Sequence, residues 1–210
     1  MVENSEVEKY FLQILPEIFP SDECRALLTL VAGERPGVLL MSVQEQDEKV
    51  VENFCDDFDL KLEFMGERNE LFEPGAFIAS EEDRFSILEQ SHGKFYTCSD
   101  EAVGEFLGYP EEAINFYSGT GEDEVPGQKF REKIRELFRK DALDEEDLKH
   151  LQLVDYVPRP QRENIIEAVE RGEERERQLK EFDERNSTRV GEIYLRELYE
   201  RFEADEFLNQ

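Results

Sequence analysis

Asp and Glu together number 53 in this chain of 210 residues against 25 Lys and Arg, a formal net charge of -28. That imbalance limits what the chain can fold into. Carboxylates crowded on a small surface repel each other across a Debye length of about 10 Å at 0.1 M salt, which shrinks to about 3 Å only at molar salt. The cations are 9 Lys and 16 Arg, so the strongly hydrated ammonium is the scarcer one. Both features describe a surface made for concentrated brine, as in the cytosol of an extreme halophile. The same charge argues against direct contact with nucleic acid, and repulsion from anionic lipid argues against a membrane surface.

A chain this long can bury about 70% of its unfolded surface. Its 16 Phe and 7 Tyr supply bulk, and apolar positions recur with regular spacing, so the charge does not imply disorder. The amino terminus MVENSEVEKY lacks the basic then apolar order of a secretory signal, and no apolar run approaches the roughly 18 residues of a membrane span. A cytoplasmic protein is expected. Cys24, Cys55 and Cys98 are odd in number, widely spaced and without a CxxC, which predicts reduced, buried thiols and neither a disulfide framework nor a thiolate metal site.

Ser5 and Glu8 form a capping-box pattern ahead of Val7, Tyr10, Phe11, Ile14, Leu15, Ile18 and Phe19, one face of a helix with a kink expected at Pro16. Ser21 opens a second helix that Gly33 and Pro36 stop. VLLMSV, residues 38 to 43, reads as a strand covered on both faces. An amphipathic helix through Val50, Val51, Phe54, Cys55 and Phe58 follows, then LKLEF from Leu60 as a half-exposed strand. AFIAS from Ala76 predicts a third strand, 81 to 90 a helix behind Ser80, and KFYT from Lys94 a fourth strand.

After Ser99 the strand patterns cease. Ser99 caps a helix carrying Ala102, Val103, Phe106 and Leu107, Gly108 ends it, and Pro110 starts another with Ile114 and Phe116. The expected fold is therefore α/β, with α+β as the alternative: a small three- to four-stranded sheet with covering helices, then an all-helical carboxyl-terminal region. The expected division is an α/β domain over 1–118, a linker over 119–127 and a helical region over 128–210. Gly119 and Gly121 in that linker follow no strand and precede acids, so they do not make a phosphate loop.

GQKFREKIRELFRK, Gly127 to Lys140, packs six cations into a chain otherwise dominated by acids. At 100° per residue Phe130, Ile134, Leu137 and Phe138 share one sector, with Lys129, Lys133 and Lys140 on one flank and Arg131, Arg135 and Arg139 on the other. Basic stems beside an apolar stripe can cover a core while their heads meet an acidic surface, so the segment is expected to dock on its own chain. From Gln161 to Arg185 charge dominates, with pairs such as Glu173 with Arg177 and Glu176 with Lys180 four apart, which predicts a solvated helical arm. Val190, Ile193, Tyr194, Leu198 and Phe202 rebuild an apolar stripe that must meet the core or a partner, so self-association through these helices is open.

His92 and His150 are the only histidines, and any imidazole proton shuttle must use one of them. His92, Cys98 and Asp100, with Ser99 and Glu101, fall around the end of an expected strand, where open α/β sheets place ligands. They are the candidate catalytic residues, although turns and caps favour the same residue types. Arg159 and Arg162 are candidate anion clamps. No metal site and no cofactor are expected.

HGKFYTCSDEAVGEFLGYPEEAI, from His92, resembles the start of a PAS sensor domain, in which a strand leads into small helices ending at Gly-Tyr, Pro and an acidic pair. That resemblance implies further strands around an internal pocket. FYTCSDEAVGEFL and DYVPRPQRENIIEAVE together resemble two segments of an archaeal protein family of unknown function, in which a Gly-Tyr-Pro turn and paired cysteines precede a later Pro-Cys segment. Glu101 and Ala102 stand at the first cysteine places, Arg159 and Arg162 at the later ones. The resemblance implies that any metal those cysteines held is lost here. Three functions are consistent with this reading: a non-catalytic binding or regulatory module, an enzyme for a small anionic substrate, and a PAS-like ligand sensor.

Overall fold

The computed structural model describes residues 4–65, 75–89, 99–119, 126–200 and 202. The apolar face of the first helical stretch runs through α1 (Asn4–Lys9), a π-helical turn (Tyr10–Ile14) and α2 (Leu15–Ile18). Ser5 lies inside α1, not ahead of it. Pro16 explains the wide turn: its ring lacks an N–H and would clash with the carbonyl four residues back, so the chain loosens to let Leu15 N–H reach Tyr10 O, five residues away. α3 (Ser21–Ala32) follows and ends at Gly33, whose φ of 86° is the left-handed position that a glycine closes most readily.

β1 (Gly37–Leu40), α4 (Glu48–Asp57), β2 (Lys61–Met65) and β3 (Gly75–Ala79) come next. Three strands form an antiparallel sheet in the order β1-β3-β2. Val38 pairs with Ile78 on one side and Leu62 with Ile78 on the other. β3 is inserted between two strands that α4 connects, so the expected strand–helix–strand order gives no adjacent parallel pair. The strand covered on both faces is β3, buried at every residue, and not 38–43: β1 stops at Leu40 and Met41 is 59% exposed. A 3-10 turn (Glu82–Phe85) and α5 (Ser86–Glu89) follow β3. The expected fourth strand from Lys94 lies outside the described residues.

Beyond Ser99 the described residues are helical: α6 (Asp100–Phe106), α7 (Glu111–Gly119), α8 (Pro126–Arg139), α9 (Glu145–Leu151), α10 (Arg162–Asn186) and α11 (Val190–Glu200). A small antiparallel sheet with many helices and a helical carboxyl-terminal region is thus the fold. Contacts divide the chain into two units, 1–108 with 182–190 and 109–181 with 191–210. The sequence boundary at 118 falls inside α7.

The core of the first unit is aromatic. Phe54 meets Tyr10 and Phe11 edge to face with centroids 5.3 and 5.7 Å apart, and Phe77 meets Phe106 at 4.9 Å. Cys24 and Cys55 are buried, as expected, and burial pushes the Cys55 thiol up to about 12. Cys98 lies outside the described residues. Arg84 donates to the carbonyls of Phe106 and Glu105, satisfying the end of α6. Ser187, at φ 51°, ends α10, where Thr188 Oγ1 donates to Asp183 Oδ1 at 2.8 Å.

The second unit has an aliphatic core of Ile134, Leu137, Leu143, Leu148, Leu151, Ile165, Ala168 and Val169, with Phe130, Phe138 and Phe202 packed against it. α8 therefore docks its apolar sector on its own chain. Its Lys133 and Lys140 both bond Glu136 of the same helix, at 2.9 and 2.6 Å, holding that carboxylate down at about 2. α10 is no solvated arm: Ile165, Ala168, Val169 and Gly172 give it a buried face within this unit, and Leu179 is buried as well. Gly172 is required there, because a Cβ would stand 2.1 Å from the His150 carbonyl oxygen.

Candidate functional sites in the two units

In the first unit a groove of about 650 Å³ lies along α4, β2 and the turn into α5. Its apolar lining residues are the half-buried Leu60 and Leu62 and the buried Phe85 and Cys55. Glu52, Asp56, Glu63 and Glu82 supply carboxylates, and among the described residues Lys61 is the one cation of the lining. Lys61 Nζ donates to Asp59 Oδ1 at 3.1 Å, so its charge is shared with a carboxylate outside the groove. The sequence places these acids by helical and strand period: Glu52 and Asp56 are four apart on α4, Lys61 and Glu63 two apart on β2.

In the second unit three helices bring polar side chains together. Asp144 caps α9 by accepting from Glu146 N and Asp147 N, and Asp147 closes the capping box on the Asp144 N–H. This fixes the start of α9 so that Glu146 and His150, four apart, share the face turned to α10. His150 Nε2 lies 3.2 Å from Glu176 Oε2, and the Tyr199 hydroxyl donates to the same oxygen at 2.5 Å. Lys180 donates to Oε1 of Glu176. Burial opposes ionisation of Glu176, but the Lys180 and Tyr199 hydrogen bonds prevail and hold its carboxyl below the ordinary range. Tyr199 is pushed up, by burial first and then by its bond to Glu176. Arg177 pairs with Glu174 and Glu181, leaving Glu173 3.8 Å from His150 Nδ1 in place of the Arg177 pairing expected from spacing.

No family model, curated protein or solved structure matches this chain. Its chemistry is therefore read from its own residues.

Of the residues singled out from sequence, His92 and Cys98 lie outside the described residues. Asp100 is exposed in the first turn of α6, behind a Ser99 hydroxyl that accepts from Ala102 N at 3.2 Å; there an acid complements the helix dipole. Arg159 and Arg162 are exposed at the entry to α10 in the second unit, whereas Asp100 belongs to the first. At the places of the archaeal cysteines Glu101 is exposed and Ala102 buried. The Glu146–His150–Glu176 cluster was not legible, because its members lie 26 residues or more apart on different helices save for the four-residue step in α9. The one available signal was Asp144 with Asp147, which sets the phase of α9. Among the described residues no helix is long and apolar enough to cross a membrane.

Proposed function

We propose that this chain is a non-catalytic binding module of a haloarchaeal cytosol, whose recognition surface is the groove of the first unit and whose partner is a Lys- or Arg-rich protein segment. The observation that carries the reading is the lining itself: four carboxylates from three elements beside the half-buried Leu60 and Leu62. Such a lining suits an extended chain carrying alternating cationic and apolar side chains. In molar salt only contact ion pairs survive screening, so the two leucines supply affinity and the acids supply choice of partner.

A fluorescein-labelled peptide of alternating Lys and Leu, titrated by anisotropy in molar KCl, tests this. Changing Asp56→Asn with Glu63→Gln and Glu82→Gln together is expected to weaken binding about tenfold, the equivalent of about 1.4 kcal/mol. The same number of neutralised carboxylates at Glu163, Glu170 and Glu197 is expected to leave it unchanged. Equal losses in the two variants would show unspecific attraction to an acidic surface and end the proposal. The salt adaptation is tested by dialysis into dilute buffer, where circular dichroism is expected to report loss of helix.

A further inference from the structure

The polar cluster of the second unit has the makings of a cation site. One ligand-capable atom from each of Glu146, His150 and Glu176 lies within 4.8 Å of the other two. His150 is only 8% exposed, and its Nδ1 is buried with no hydrogen-bond partner. A buried polar atom left in that state has a cost that calls for a reason. The separation of Nε2 from Glu176 Oε2, 3.2 Å, suits a hydrogen bond and equally suits two ligands each about 2.0–2.2 Å from a tetrahedral ion. A histidine that binds metal through Nε2 carries its proton on Nδ1 and usually aims it at a carboxylate. Glu173 Oε1 stands 3.8 Å from Nδ1 on an exposed side chain that a small rotation brings within hydrogen-bond distance.

We infer that Glu146, His150 and Glu176 bind one divalent transition-metal cation, with Zn2+ the best fit, through His150 Nε2 and one carboxylate oxygen from each glutamate. One imidazole with two carboxylates favours Zn2+ or Mn2+ over Mg2+ and Ca2+, whose sites are built of oxygen alone. With Nε2 on the ion, the ring carries its proton on Nδ1, the nitrogen nearer Glu173. Lys180 holds Oε1 of Glu176, leaving Oε2 turned to the ring, and Tyr199 fixes that oxygen from the far side. Lys149 pairs with Glu146 Oε2 at 3.1 Å with Glu146 60% exposed, a pair that gives way at little cost. The ion thereby joins α9 to α10 in the middle of the helical unit.

Co2+ is the probe, titrated into the metal-stripped full-length protein in molar KCl and followed by visible absorption, with Zn2+ and Mg2+ added afterwards. The expected result is one tight equivalent with the intense bands of a low-coordinate ion, displaced by Zn2+ and not by an excess of Mg2+. His150→Gln is expected to abolish those bands. Glu146→Gln, at an exposed position that leaves the core untouched, is expected to weaken binding at least tenfold, and Glu173→Gln about tenfold. If His150→Gln fails to fold, the Glu146→Gln titration decides. Weak uptake by many sites with the pale spectrum of a hydrated ion, or tight uptake indifferent to Glu146→Gln, would overturn the assignment.

Discussion

The two units solve the same problem of folding an acidic chain by different means. In the first, four Phe rings at positions 11, 54, 77 and 106 are fully buried, and polar contacts such as Tyr10 Oη to Asp57 Oδ2 and Arg84 Nε to the Phe106 carbonyl join single pairs of groups. In the second, the core is aliphatic, and a polar network through His150, Glu176 and Tyr199 ties α9, α10 and α11 together. Area burial is indifferent to pH and nearly so to ions, whereas hydrogen bonds between carboxylate and phenol respond to pH, and the Glu176–Tyr199 bond sits within a wider network. The first unit thus leans more on aromatic burial and the second on a shared polar network.

The largest test of that contrast is in the cores. Phe54→Ala is expected to cost about 4 kcal/mol in urea unfolding at molar KCl, and Leu148→Ala about 3 kcal/mol, because the ring leaves the larger void. If the two costs come out reversed, the aromatic cluster is not what holds the first unit. Next in size is Gly172→Ala. Its methyl would collide with the His150 carbonyl, and the overpacking is expected to cost about 2 kcal/mol and to speed amide exchange in α9 rather than in the sheet.

Acid separates the units by sign. Glu176 is held below its ordinary range in the fold, so its contribution is present above the unfolded pKa near 4.3 and is lost as pH falls through the folded value. Glu23 in the first unit is raised, chiefly by burial, so its contribution is present below the unfolded value and is lost as pH rises through the folded one. Amide exchange followed as pH is lowered past that value is expected to quicken in α9 and α10 before it quickens in α3. Glu176→Gln should flatten the acid limb of the stability curve, while Glu23→Gln should leave its low-pH end unmoved. At the alkaline end Tyr199 is raised, so stability is expected to fall as pH climbs past about 10, less steeply in Tyr199→Phe.

The smallest effect is expected from α8. Lys133→Gln with Lys140→Gln removes two partners of Glu136, at the surface and on one helix, and the unfolding midpoint should stay put. A clear loss would mean that these ammonium heads hold more than their own helix.

Helices α3, α4, α6 and α8 could be read from the sequence because their signals are local: Gly33 and Gly108 as stops, Ser99 as a cap, and apolar residues three and four apart. The strands were legible in place but not in rank. VLLMSV looked like the buried centre, yet which strand is central depends on pairing, and the pairing put Ala76–Ala79 between the other two. α10 misled for a related reason. Its composition is charged, and small residues such as Ala168 and Gly172 provide a buried face without announcing hydrophobicity.

By itself the sequence determined the acidic excess, the change from mixed to helical structure after Ser99, and the docking face of α8, since charge, caps and period are properties of neighbours along the chain. Only the tertiary structure decided that Glu52, Glu63 and Glu82 would share a groove and that His150 would lie between Glu173 and Glu176. Those groupings arise from how separate elements pack, and the energy that fixes packing is spread over many apolar contacts that no single short motif records.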